Sequence, residues 1–309
     1  MTLNDPTRTV VAVVAAYRPD PSLTGTVRTL LEQVSHVVVV DDGSPAGSEP
    51  VLAAVADAGA TVVRQPENTG IAAALNAGVA AARARWNPDF FLTLDQDSQP
   101  TDEYVRRGLA SFDQATSDGI AVGFVTAASY SGHPIPVLPG HGGGVVHAFD
   151  PMQSGFLIPR STVEKIGPFE EDLFIDGVDS EFTMRTRTAG LAVLVGPGCD
   201  IAHDLGQRRP GLLFGRPVKV LGRDMSYNYH SPSRVYYIAR NGTVLTRRYL
   251  LKDPRWVLRR LIEEFKAHLL RFAFSPGRAS LVKAAAAGFR DALRGTTGRI
   301  PADLERRLR

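Results

Sequence analysis

The chain has 309 residues, 44% hydrophobic and 22% charged, with a formal net charge of +3 and one cysteine. That composition belongs to a globular protein long enough for a sizeable core, and it excludes a disulfide-stapled miniature, a low-complexity chain and a collagen-like fibre. The charge is unevenly spread: residues 247–309 hold 16 Lys and Arg against 6 Asp and Glu, whereas the first 246 hold 19 against 26.

Val10 to Ala16 reads as a buried strand, broken by Tyr17-Arg18-Pro19. Ser22 to Gln33 has helical spacing, with Leu23, Val27, Leu30 and Leu31 on one face. His36 to Val40 is a second apolar strand, Pro50 to Ala58 a helix, and Thr61 to Arg64 a third strand. An Ala-rich helix follows from Ile71 to Ala84, then a fourth strand from Phe90 to Leu94. This strand–helix alternation predicts an α/β fold with a doubly wound, mostly parallel sheet. Further on, a helix is expected over 101–118, strands over 120–128 and 156–159, a short helix from Ser161, a helix over 179–190 and a late strand over 191–195. Residues 131–144, rich in Gly, Pro and His, read as a mobile loop near the site. Beyond residue 230 the pattern is helical, and 255–274 is read as placing Trp256, Leu258, Leu261, Ile262, Phe265, Leu269 and Phe272 largely on one side, with basic residues flanking. The expected organisation is a catalytic domain over 1–229 and a mainly helical extension over 230–309.

Chemistry-bearing residues gather where the strands end. The second strand runs into Asp41-Asp42-Gly43-Ser44, the third into Glu67-Asn68-Thr69-Gly70, and the fourth into Asp95-Gln96-Asp97-Ser98. In open α/β sheets ligands bind beyond those ends. Two carboxylates two residues apart on extended backbone point the same way, and oxygen donors suit Mg²⁺ or Mn²⁺ completed by substrate phosphates. A later run, Phe174-Ile175-Asp176-Gly177-Val178-Asp179-Ser180-Glu181, is dense in carboxylates and opens a helix. On its own Asp179 there reads as a helix cap.

Taken together these segments resemble the inverting family 2 glycosyltransferases of the GT-A fold. Asp41-Asp42-Gly43-Ser44 is similar to the family's nucleotide-binding strand end, Asn68-Thr69-Gly70 to its Asn-x-Gly segment, and Asp95-Gln96-Asp97 to its Asp-x-Asp metal motif. The resemblance implies nucleotide contacts at Ala15, Tyr17, Asp41, Asp42, Asn68, Gly70, Asn76, Asp95 and Arg234. It implies a cation on Asp95 and Asp97, completed by a histidine after the late strand, His203, with His230 as competitor. Asp179 is the implied base, in a run where the family's usual Gly-Glu-Asp has become Gly177-Val178-Asp179; Asp176 and Glu181 are the implied acceptor-orienting residues. The wording around Gly70-Ile71-Ala72-Ala73-Ala74, Leu94-Asp95-Gln96-Asp97-Ser98 and His230-Ser231-Pro232 is similar to the rhamnosyltransferase branch, from which Leu75 departs in place of Gln. That branch implies dTDP-L-rhamnose as donor and a lipid-linked saccharide as acceptor in cell-surface polysaccharide synthesis.

The alternatives within the family are a galactofuranosyl- or other hexosyltransferase using a UDP-sugar. A haloacid-dehalogenase-like phosphatase would carry Asp-x-Asp on its first strand, not its fourth. A nucleotidylyltransferase would have a Gly-rich loop where Tyr17-Arg18-Pro19 stands. A membrane-associated scaffold would account for the basic tail but not for the ordered carboxylates. Met1 to Thr9 lacks the pattern of a leader, and no apolar run approaches the roughly 18 residues of a membrane span. A cytoplasmic protein is therefore expected, peripheral on an anionic membrane through its basic helices, with a second copy of the chain as the alternative partner and no nucleic acid.

Overall fold

In a computed structural model of the chain, residues 8–139, 144–203, 208–210, 212–213, 216–220, 223–224, 226–275 and 277–308 are described. They fall into two compact units, Met1–Phe174 with Val178–Asp204, and Ile175–Gly177 with Leu205–Arg309.

The first unit begins β1 (Val10–Ala16), α1 (Leu23–Leu31), β2 (His36–Asp41), α2 (Glu49–Asp57), β3 (Thr61–Arg64), α3 (Ile71–Trp86), β4 (Phe90–Asp95). The Val-rich runs of β1 and β2 become central strands because helices cover both faces, and Val11 to Val14 and Val37 to Val40 are almost wholly buried. There follow β5 (Ser98–Pro100), α4 (Tyr104–Ser117), β6 (Val122–Thr126), β7 (Ser129–Tyr130), β8 (His133–Pro134), β9 (Phe156–Pro159), α5 (Arg160–Ile166), α6 (Val178–Thr188), β10 (Ala192–Val195) and β11 (Asp200–His203). The main sheet has seven strands in the order β10-β6-β9-β4-β1-β2-β3. All pair parallel except β9, which runs antiparallel between β4 and β6.

Two expectations are modified. The helix expected from Thr101 starts at Tyr104, because Thr101 donates its N–H to Asp200 O at 2.9 Å beside the β5–β11 pairing, and Glu103 turns the chain at φ 65°. The loop expected over 131–144 opens with the β7–β8 hairpin, part of a second sheet in the order β5-β11-β7-β8; residues 140–143 lie outside the described residues.

The second unit pairs Arg208–Pro210 with Ser226–Asn228 and continues as α7 (Pro232–Tyr249), α8 (Pro254–Phe274), α9 (Arg278–Arg294) and α10 (Ala302–Leu308). Two of these helices start on a side-chain cap followed by proline: Ser231 accepts from Arg234 N at 3.3 Å, and Asp253 from Trp256 N at 2.9 Å. Helices α7 and α9 touch through backbone. A Cβ on Gly288 would lie 2.3 Å from Tyr236 O. Polar ties flank that contact: Tyr236 donates its hydroxyl to Asp291 at 2.9 Å, Ile300 donates its N–H to the Tyr237 hydroxyl at 2.7 Å, and the buried Arg240 donates to Gly298 O at 2.6 Å.

Candidate active site

The parallel register sets the site. Asp41 stands opposite Ala16, and Asp95 opposite Ala15, so three adjacent strands end level with one another. Just past β1, Tyr17 donates its N–H to Gln96 Oε1 at 2.9 Å, and Gln96 Nε2 donates back to Tyr17 O at 3.2 Å. The middle residue of Asp95-Gln96-Asp97 thus ties the ends of β1 and β4 together.

Asp41 and Asp42 are both buried. Asp41 accepts from Ser44 N at 3.1 Å, closing its own turn. Asp42 holds the loop before α3: its Oδ1 accepts from Thr69 N and Oγ1 at 2.8 and 3.0 Å, and its Oδ2 from Gly70 N at 2.9 Å. Burial pushes the Asp42 carboxyl up from its ordinary value, and the Thr69 and Gly70 donors pull it only partly back. Gly70 caps α3 at φ 97°, and a Cβ there would lie 2.4 Å from Phe174 O, which also accepts from Ile71 N at 2.9 Å. Only glycine serves at this position. Asn68, half-buried, sits in the same loop.

Behind Asp95 lies a strap that the sequence reading did not single out. Asp95 N donates to Ser154 Oγ at 3.2 Å, and its Oδ1 accepts from Gln153 Nε2. Thr93 Oγ1 donates to Gln153 O at 2.7 Å. The Tyr130 hydroxyl donates to the carbonyls of Ser154 and Met152 at 2.7 and 3.0 Å, and the Tyr104 hydroxyl to Gly155 O at 2.6 Å. Gln153 is 5% exposed, and its Oε1 is buried with no hydrogen-bond partner. The only trace in the sequence was Gln153-Ser154-Gly155, a polar turn directly ahead of an apolar strand. Burial raises the Tyr130 phenol well above its ordinary value, and the charges of Asp179 and Asp95 push it the same way. Both carboxylates therefore lie within electrostatic reach of one hydroxyl.

Asp179 is half-buried in the first turn of α6, where its Oδ1 accepts from Ser180 N at 2.9 Å. Two turns of sequence nearby are structural. Glu181, 2% exposed, pairs with Arg185 at 2.8 Å, and Arg185 Nη2 donates to Pro168 O at 2.7 Å. Asn76, expected among the nucleotide contacts, spends its amide on the segment after α5: Nδ2 donates to Phe169 O and Glu171 at 3.0 and 2.8 Å, and Oδ1 accepts from Phe169 N at 2.9 Å. In the second unit Arg234, also expected at the nucleotide, forms an ion pair with Asp176 at 3.1 Å, and Asn241 donates to Ile175 O and Asp176 O at 2.8 and 2.7 Å.

Asp95 is half-buried and Asp97 exposed at the turn into β5. The backbone of His203 stands opposite Ser98, next to Asp97; its side chain lies outside the described residues. Among the described residues no three His, Cys, Asp or Glu side chains gather as a closed metal cage. A pair of accessible carboxylates nevertheless fits Mg²⁺ or Mn²⁺, which keep water and phosphate oxygens in their shell.

Residues 11–150 match the Glycosyl transferase family 2. The chain is 26% identical over 303 residues to the dTDP-rhamnosyl transferase RfbF of Shigella flexneri, covering 94% of this chain and 97% of that protein. The succinoglycan biosynthesis protein ExoO of Rhizobium meliloti is 32% identical over 129 residues, 41% of this chain and 36% of that one. Two solved structures share the fold. The mannosyltransferase PcManGT from Pyrobaculum calidifontis, in complex with GDP-Man and Mn²⁺, gives a TM-score of 0.52 at 17% identity over 97% of this chain and 85% of that one. S. aureus TarS 1-349, in complex with UDP-GlcNAc, gives 0.51 at 16% identity over 93% and 92%. The sheet and the carboxylates at its strand ends thus have the GT-A arrangement of these transferases, and the segment from β1 to beyond β8 is similar to the Glycosyl transferase family 2.

Proposed function

We propose that the chain is a divalent-cation-dependent, inverting rhamnosyltransferase. It moves L-rhamnose from dTDP-L-rhamnose to a saccharide acceptor, lipid-linked and bound for a cell-surface polysaccharide, on the cytoplasmic side of the membrane. The observation that carries the reading of the site is the level register of Ala16, Asp41, Ala15 and Asp95 across β1, β2 and β4. The near full-length likeness to RfbF supports the donor.

One of Asp41 and Asp42 accepts the N3–H of the thymine ring, beside Ala15 and Tyr17, while Asn68 and Gly70 bring amide and backbone donors to the nucleotide. Asp95 would face the ribose and the cation's water and Asp97 would hold the cation, whose charge suits oxygen donors; the side chain of His203, the expected further ligand, lies outside the described residues. A cation bound there would neutralise charge developing on the departing dTDP. Asp179 accepts the proton of the acceptor hydroxyl as that oxygen attacks the anomeric carbon. One displacement inverts that carbon, so no protein nucleophile is required. Asn76 and Arg234, expected at the nucleotide, also tie to Phe169 and to Asp176 respectively.

A donor screen tests this. Purified protein with Mg²⁺ or Mn²⁺ should release dTDP from dTDP-L-rhamnose, and Asp97→Ala or Asp179→Asn should each lower turnover by about a hundredfold or more. Asp179→Asn should keep the thermal shift given by dTDP and the cation. A response to UDP-galactofuranose or UDP-glucose alone would remove rhamnose and leave the family.

A further inference from the structure

Helix α8 buries Trp256, Val257, Arg260 and Arg271 within its own unit. Its opposite side exposes Leu258 at 62%, Leu261 at 41%, Ile262 at 45%, Phe265 at 68% and Leu269 at 57%. Their spacing of three, four, seven and eleven residues from Leu258 puts all five on one stripe. Arg255, Arg259 and Lys266 follow one edge of that stripe at helical spacing. An exposed apolar row of this length marks a surface that is covered in use.

We propose that this outward face of α8 seats on the surface of an anionic lipid bilayer. Charge selects that occupant. Arg255, Arg259 and Lys266 edge the stripe within a segment, 247–309, that holds 16 Lys and Arg against 6 Asp and Glu, so a second copy pressed onto the stripe would bring like charges towards one another. An anionic leaflet attracts the same charges and accepts the apolar row at its headgroup boundary. The contact is interfacial: no helix among the described residues is long and apolar enough to cross a membrane. The inference deepens the reading of a lipid-linked acceptor, but it is measured by binding alone, so each can fail without the other.

The test is flotation of the full chain with vesicles of phosphatidylcholine plus phosphatidylglycerol, and with phosphatidylcholine alone. Binding is expected to the anionic vesicles, falling about tenfold or more on the neutral ones and at high salt. Phe265→Asp combined with Leu258→Asp should lower binding by about tenfold or more, because two charges then face the headgroup boundary. Both positions are exposed, so thermal unfolding and donor hydrolysis should stay as in the unmodified protein, which separates a lost surface from a lost fold. Arg259→Glu with Lys266→Glu should weaken binding on anionic vesicles only. Absence of binding to anionic vesicles, or binding indifferent to the Phe265 and Leu258 changes, overturns the proposal. So does light scattering that finds a dimer dispersed by those same changes, since a second copy would then be the occupant.

Discussion

At the scale of single residues, Gln153 shows how a strand-end carboxylate is held in place by a neighbouring side chain. Its amide nitrogen donates to Asp95, and its backbone carbonyl is fixed separately by Thr93 Oγ1. Truncating the side chain therefore removes the restraint on the carboxylate without unlacing the strap, which Tyr130 and Tyr104 hold by other carbonyls. A hydrogen bond to a charged group is worth about 1.5–3 kcal/mol, so Gln153→Ala should cost about tenfold to a hundredfold in kcat/KM. The loss should come with a raised half-saturating concentration of Mn²⁺, read by calorimetry of Mn²⁺ and dTDP as well as by turnover. Thermal stability should change little, because the removed amide also carries the buried, unpartnered Oε1. A large fall in melting temperature with unchanged cation affinity would show that Gln153 is only packing.

At the scale of elements, α7 and α9 are joined by the absence of a side chain. With Tyr236 O only 2.3 Å from where a Cβ on Gly288 would stand, and Arg240 N at 3.0 Å, the two helices cannot keep their distance if Gly288 gains a methyl group. Gly288→Ala should destabilise the protein by about 1–3 kcal/mol despite alanine's better helix propensity, seen as a lower denaturation midpoint. An unchanged or higher midpoint would mean that the helices part without cost. This contact was not legible in the sequence, where Gly288 reads as an interruption of an Ala-rich run. By contrast, β1 to β4 and α1 to α3 were legible nearly to the residue, because continuous Val runs and clean helical spacing alternate there. So were the strand ends, since Asp41, Gly70 and Asp95 follow directly on those patterns. What escaped was what pairs through few residues or from far away. Strands β5, β7, β8 and β11 are two to four residues long and carry no period. Gln153 and Tyr130 meet Asp95 and Ser154 only after β9 inserts antiparallel beside β4.

At the scale of the whole chain, the charged interior of the second unit makes folding sensitive to acid. The His230 imidazole is pulled down to about 3, first by burial and then by the guanidinium charges of Arg271 and Arg234, with His268 acting the same way. His268 is itself lowered by burial. In the unfolded chain a histidine titrates near 6.5. Between those values the unfolded chain holds a proton that the folded chain refuses, so stability rises with pH across this window and is lost as pH falls below about 6.5. Asp176 works in the opposite sense: burial raises its carboxyl despite Arg234, so its own contribution falls as pH rises above the ordinary carboxylate value. A net loss on mild acidification is therefore the signature of the histidines. His230→Gln removes one titrating group while keeping a polar side chain. Between about pH 7 and pH 5 the variant should lose less melting temperature than the unmodified protein, by a few degrees; His230 is only half-buried, and solvent screening trims the effect to roughly 1 kcal/mol. Differential scanning calorimetry of both proteins across that range reads the difference directly. Equal losses would mean that His230 accepts its proton in the folded protein, and that the basic cluster around it is better solvated than its burial implies.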